Sequence, residues 1–199
     1  MSAMQLIGPI VRLQVQASSL KMGERLRRWY DPAPIRAVPQ LHVDMDGAIG
    51  VAADGATILD VHNRTHPATK NREENDLSFG FTGHYAAMRA RFGDHLVDGI
   101  AGENILVAAD RIFTEAEFAA GVGIEAVDGG LVRLAQVIDA EPCVEFSRFS
   151  LGYDRDAPAD STVTTALTFL RRGTRGFYAT YDGEPTTIAV GAGVFLLSR

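Results

Sequence analysis

Along Ile10-Val11-Arg12-Leu13-Gln14-Val15-Gln16, hydrophobic and polar residues alternate with a period of two, the pattern of a half-buried strand. Leu41-His42-Val43-Asp44-Met45 repeats it, followed by a turn at Asp46-Gly47, and Ala56 to Val61 reads as another strand. Leu20 to Tyr30 is predicted as a short helix, stopped by Asp31-Pro32-Ala33-Pro34. His62 to Asp76 is polar and carries no hydrophobic period, so it is expected as a surface loop of the kind that forms lids or binding segments. Thr82 is the expected cap of a helix running to about Arg91 with Gly93 as its stop. Tyr85, Met88 and Phe92 share one face of that helix and read as core packing. A β segment begins over Glu103 to Val107, and Thr114-Glu115-Ala116-Glu117 suits a helix start that Gly121 and Gly123 keep short. The clearest hairpin joins Gly123–Val127 to Leu131–Ile138 through Asp128-Gly129-Gly130. After a Gly, Pro and Asp-rich loop, Asp160 or Ser161 caps a helix through Leu170 or Arg172, ending near Gly173. Gly176 to Tyr181, the turn Asp182-Gly183, and two short strands within Thr186 to Ser198 complete the pattern. Many short strands and several helices, with no βαβ alternation, predict a mainly β barrel or sandwich.

The chain has 199 residues, 46% hydrophobic and 22% charged, which suits a single globular domain over 1–199. A net charge of −6 without a dense Lys/Arg block argues against a nucleic-acid partner. Lys21, Arg25, Arg27 and Arg28 form a local basic cluster that reads as a solvated face. A single cysteine cannot close an internal disulfide, which points to a reducing compartment. Met1-Ser2-Ala3-Met4-Gln5-Leu6 lacks the charged-then-apolar order of a signal peptide, and no apolar run approaches the roughly 20 residues of a membrane span. The expectation is a soluble, cytoplasmic protein with no membrane partner.

Three places carry candidate chemistry. Cys143 follows Pro142 at the end of the second hairpin arm, where a thiol can serve as a nucleophile, a sulfur carrier or a soft-metal ligand. Glu141 and Glu145 flank it, and nearby carboxylates disfavour a free thiolate, which suits a ligand or carrier better than an activated nucleophile. The competing reading is a buried structural thiol. Asp60, His62 and His66 form an Asp-x-His-x3-His set that would hold a divalent ion if His84 or His42 joined it; the competing reading is a polar surface loop. Arg171, Arg172 and Arg175 cluster after a helix, as anion binders or as charges facing a helix C-terminus. Gly191-x-Gly193 is too short for a dinucleotide fingerprint and precedes no helix.

Taken in order, Gly102-Glu103-Asn104-Ile105-Leu106-Val107, then Gly121-Val122-Gly123-Ile124, the hairpin and Pro142-Cys143 resemble the MOSC domain, a family related to the C-terminal domain of molybdenum cofactor sulfurases. Leu170-Arg171-Arg172-Gly173-Thr174-Arg175-Gly176-Phe177-Tyr178-Ala179 and Gly191-Ala192-Gly193-Val194 extend the resemblance, which is clearest over 102–199. It implies a MOSC-type β-barrel that binds a molybdopterin-type molybdenum cofactor, with the cysteine matching Cys143 ligating molybdenum or carrying sulfur as a persulfide. It places Asn104, and Glu103 beside it, near the cofactor. The chain departs from the pattern where an arginine commonly precedes Pro-Cys: Asp139, Ala140 and Glu141 stand there. Gly191-Ala192 replaces a Gly-Asp, and Gly50-Val51 stands in place of an early Gly-Asp turn. Arg148, Arg171 or Arg175 would then supply the missing charge.

The expected activity is that of a cofactor-dependent reductase of N-hydroxylated substrates or of a sulfur carrier, with a small-molecule substrate or a sulfur or electron donor protein as partner. Two alternatives stand beside it. One is a non-catalytic binding domain on a barrel that has lost the cofactor, using the 60–76 loop. The other is a divalent-metal hydrolase built on Asp60, His62, His66 and His84.

Overall fold

The computed structural model describes residues 4–24, 27–155 and 157–198. From the N-terminus run β1 (Met4–Gln16), β2 (Lys21–Met22), β3 (Trp29–Tyr30), β4 (Ile35–Val38), β5 (Gln40–Asp44), β6 (Gly47–Val51), β7 (Thr57–Leu59) and β8 (Leu77–Phe81). Helix α1 (Thr82–Phe92) leads to β9 (Ile105–Val107), a 3-10 turn at Glu115–Phe118, β10 (Val122–Glu125) and β11 (Leu131–Asp139). Helices α2 (Val144–Ser150) and α3 (Ser161–Leu170) precede β12 (Phe177–Thr180), β13 (Thr186–Ala189) and β14 (Gly193–Leu197).

Seven strands close into a barrel in the order β14-β10-β11-β12-β8-β9-β1, with β1 pairing back onto β14. Closure removes the exposed edges an open sheet would leave. All pairings in the ring are antiparallel except β8 with β9, and that parallel pair is joined by a long crossover containing α1. A second sheet, β13-β5-β6-β7, flanks the barrel. The barrel is filled by an aromatic cluster: Phe79, Phe81, Phe113, Phe118 and Phe177 are all buried, and Phe81 stacks on Phe113 at 4.2 Å between ring centres. A separate cluster under the helices contains Tyr30, Tyr85, Met88, Phe146 and Leu170, with Phe92 packed against it, so the stripe on α1 is core as its spacing predicts.

The long thirteen-residue β1 is predicted only in its second half, and there the simple alternation fails. Gln14 and Gln16 occupy the polar face of the strand yet are buried, because the segment from Gly99 to Gly102 lies over them and accepts their side-chain amides. The predicted helix over Leu20 to Tyr30 is not formed among its described residues, 20–24 and 27–30. Its ends pair as a ribbon, Lys21 opposite Tyr30 and Met22 opposite Trp29. Tyr30 is anchored by packing against Phe146 and Phe149 of α2, so tertiary contact overrides the local pattern. Thr82 does not cap α1 but begins it. Its hydroxyl donates to the Ala109 carbonyl and accepts from the Ala109 amide, tying the helix to the strand it crosses to. Asp160 does cap α3, accepting from the Thr162 and Val163 amides. Among the described residues no helix is long and apolar enough to cross a membrane.

Candidate functional site

A cleft of about 440 Å³ opens between the β2–β3 ribbon, the polar loop that follows β7, and the segment joining β11 to α2. Lys21, Arg28, Lys70, Arg72 and Arg175 line it, set against the carboxyls of Glu74, Asp139 and Glu141. Burial first, then Glu115 and Glu141, raises the Asp139 pKa above its ordinary value, which weakens one of those three negative charges. The balance in the cleft therefore favours anions, although the whole chain is acidic.

The wall is positioned by an ordered series of hydrogen bonds. Four consecutive carbonyls each accept a side chain: Gly99 from Gln14 Nε2 at 2.7 Å, Ile100 from Tyr30 OH at 2.6 Å, Ala101 from Arg175 Nη2 at 2.8 Å, and Gly102 from Gln16 Nε2 at 2.7 Å. Gln16, Tyr30 and Arg175 all face the cleft, so one short backbone segment sets three of its walls. Gly102 makes this approach possible. Its φ is +85°, and a Cβ there would meet Leu20 at 2.5 Å and the Gln16 amide at 3.0 Å. Arg175 also lies over the Phe146 ring, 5.6 Å from its centre. Burial opposes its charge, but Tyr178, Tyr30, Cys143 and Glu103 outweigh that and raise its pKa, so it stays cationic. Burial holds the Tyr30 phenol neutral.

Cys143 lines the same cleft. It does not sit at a strand end: β11 stops at Asp139, and Cys143 is the N-cap of α2. Its sulfur accepts from the Phe146 amide at 3.4 Å, while its carbonyl accepts from the Ser147 amide and hydroxyl. The thiol is half-buried, with one side against the second core cluster. The acids flanking it are partly drawn off. Glu145 faces Lys21 at 3.8 Å, and Glu141 faces Arg171 at 3.6 Å on the exposed rim.

The remaining sequence candidates fall elsewhere. Glu103 and Asn104 do not line the cleft but stand behind its wall. Asn104 accepts from the Ser78 amide and hydroxyl and donates to Gln14 O and Asp60 Oδ2. Glu103 accepts from Tyr85 OH at 2.8 Å, and burial raises its pKa against the opposing pull of Tyr85, Arg175 and Arg12. Arg148 lines a separate groove with Trp29 and Arg155. Arg171 is exposed and absent from the cleft lining. The divalent set does not assemble. His62 hydrogen bonds to Asp60 at 3.0 Å, whereas His66 turns to Ala17 O and His84 is buried beside Phe81 and Phe113, accepting from the Phe113 amide at 2.9 Å. Among the described residues no three His, Cys, Asp or Glu side chains stand where they could hold a metal ion.

Of the residues the sequence singled out, the structure brings together Cys143, Arg175 and His62. Gln16, Tyr30 and Tyr178 were missed as site residues, and Lys21 and Arg28 were expected as solvated face but line the cleft. Arg25 of that basic cluster lies outside the described residues. The polar loop, expected as a binding segment, supplies His62, Lys70, Arg72, Glu74 and Asn75.

Among solved structures, the chain is similar to the YuaD protein from Bacillus subtilis, with a TM-score of 0.60 at 13% identity over 100% of both chains. YiiM from Geobacillus stearothermophilus gives 0.50 at 16% identity, over 99% of this chain and 76% of that one. YiiM from Escherichia coli gives 0.50 at 16%, over 82% and 65%. YiiM is a MOSC-domain protein. The barrel is thus of the MOSC type, as the order of motifs in the sequence implies. No family model matches the chain, and no curated protein matches it.

Proposed function

We propose that this cleft binds a molybdopterin-type cofactor, with Cys143 as a thiolate ligand to molybdenum or as a persulfide carrier. The observation that carries the reading is that Cys143 and Arg175 share one cleft with four further cations. This donor set fits the group: a soft sulfur suits molybdenum, and guanidinium and ammonium groups suit the phosphate of the pterin. Arg175, Lys21, Arg28, Lys70 and Arg72 would hold the phosphate, and Cys143 the metal or the sulfur atom it receives. When bound, the cofactor supplies two-electron redox chemistry or accepts a sulfur. Arg175 would orient the anionic end, since its donor to Ala101 O fixes its guanidinium plane. The β2–β3 ribbon and the polar loop would limit water access, and the substrates expected are N-hydroxylated small molecules or a sulfur or electron donor protein.

Full-length protein purified from a cofactor-competent host should carry molybdenum by elemental analysis and pterin by fluorescence after oxidation. Cys143→Ser should lose most of the molybdenum or the transferable sulfur, and Arg175→Gln should lose pterin at least tenfold. Wild type lacking both molybdenum and pterin sinks this reading. It would favour a second one, a non-catalytic binding domain on the same barrel that has lost the cofactor, for which the carboxyls of Asp139 and Glu141 in the cleft are the supporting observation.

A further inference from the structure

Asp60 and His62 belong neither to the aromatic core nor to the thiol and arginine set. Asp60 is 1% exposed, and both its oxygens face donors. Oδ2 accepts from the Gln16 amide at 2.7 Å and from Asn104 Nδ2 at 3.0 Å. Oδ1 accepts from the His62 amide at 2.8 Å and lies 3.0 Å from His62 Nδ1. A carboxylate offers only acceptors, so Nδ1 carries the hydrogen in this contact. In the neutral ring the lone pair is then at Nε2. That atom has no hydrogen-bond partner among the described residues, and the ring lines the cleft shared with Cys143 and Arg175. Its main chain is fixed as well, because the His62 carbonyl accepts from Asn71 Nδ2 at 2.9 Å.

We propose that His62 is the acid–base group of the cleft and Asp60 its positioning residue, serving an anionic ligand that also carries an ionisable hydroxyl or thiol. In the forward step the ligand's O–H or S–H bond breaks, its proton passes to Nε2, and the electron pair stays on oxygen or sulfur. The imidazolium is stabilised by the Asp60 carboxylate and returns its proton to water. No electrons change hands, so the step requires neither oxidant nor reductant. The inference rests on the cleft being an anion site, but its geometry is independent of molybdenum.

Two-bond proton–nitrogen correlation spectra of the full-length, 15N-labelled protein test it without added cofactor. In its neutral form His62 should show a protonated Nδ1 and an unprotonated Nε2. Asp60→Asn, which puts an amide donor among groups that are already donors, should shift the ring to the opposite tautomer or to a mixture. Inorganic pyrophosphate is the ligand probe, since it joins anionic charge to an ionisable hydroxyl. On saturation the His62 Nε2 signal should move toward the protonated position, while His42, His66 and His95 stay fixed. A wild-type ring protonated at Nε2 rather than Nδ1 overturns the pair. So does an unmoved Nε2 when Arg175 side-chain signals report bound pyrophosphate. No pyrophosphate-dependent shift at any cleft residue overturns the anion-site reading and with it the ligand class, a result distinct from the wrong tautomer.

Discussion

The barrel interior and the seam behind the cleft are both buried, and they are held in opposite ways. The interior is apolar and aromatic, with Phe79, Phe81, Phe113, Phe118 and Phe177 packed ring against ring. The seam is Gln14, Gln16, Asp60, Ser78, Glu103 and Asn104, all buried and each hydrogen bonded. Apolar burial is non-directional and scales with area, so it stabilises without fixing any one atom closely. A hydrogen-bonded seam contributes less net stability per contact, but it allows one arrangement of donors and acceptors. The barrel supplies stability, and the seam supplies the position of the Gly99–Gly102 segment and so of the cleft wall.

Truncation should damage both regions, and the largest single effect is expected in the barrel. Phe81→Ala empties the space between Phe79, Phe113 and Phe118 and should cost about 4 kcal/mol by urea unfolding. Milder changes separate the two regions. Phe81→Leu should cost about 1–2 kcal/mol, since it stays apolar and fills most of the space although it loses the ring stacking. Asp60→Asn keeps the shape and should still cost about 2–3 kcal/mol, because an amide donor is forced against a group that already donates. Equal costs for the two conservative variants would remove the distinction drawn between the regions.

The same contrast explains which parts could be read from the sequence. The hairpin β10–β11, the capped helix α3 and the stripe on α1 are local, and their periods announce them. Strand β8 is buried at every residue and so has no alternation to detect. Helix α2 has seven residues, too few for a period, and begins only two residues after Pro142. In the site, Cys143 and Arg175 stood out by their neighbours in sequence. The clamp on the Gly99–Gly102 carbonyls joins residues separated by 85, 70, 74 and 86 positions, a relation no local pattern encodes. For the same reason Lys21 and Arg28 looked like an ordinary solvated face, and Asp60 with His62 looked like part of a metal set. Pairing β2 with β3, and running the polar loop past Gln16, changes both readings.

Acid and base should stress the two regions from opposite sides. His84, at the aromatic cluster, has its pKa pushed by burial from 6.5 to about 4, against smaller effects of the Gly173 backbone and Glu117. Above pH 6.5 the ring is neutral folded or unfolded, and its stability contribution is intact. As pH falls from 6.5 toward 4 the unfolded chain takes up a proton that the native state refuses, and about 3 kcal/mol should be lost. His84→Gln keeps an acceptor for the Phe113 amide and should flatten that limb. Glu103, in the seam, has a raised pKa, so its sign is reversed. Its contribution is full below about pH 4.5, its unfolded value, and declines as pH rises toward the folded one. Glu103→Gln should therefore flatten the neutral side of a stability profile and leave the acid limb in place.

The smallest effect should come from the exposed rim. Arg171 and Glu141 approach to 3.6 Å with side chains 57% and 73% exposed, where water screens the pair and both side chains lose freedom to meet. Arg171→Ala should change stability by about 0.5 kcal/mol or less. Because Arg171 does not line the cleft, pyrophosphate affinity should also change less than threefold, against a tenfold or greater loss for Arg175→Gln. The two arginines lie four residues apart and look equivalent in the sequence, but only Arg175 is tied to Ala101 O and turned toward the thiol's cleft. A loss of affinity in Arg171→Ala as large as that in Arg175→Gln would mean that long-range charge, rather than the seam's placement of one guanidinium, governs what the cleft binds.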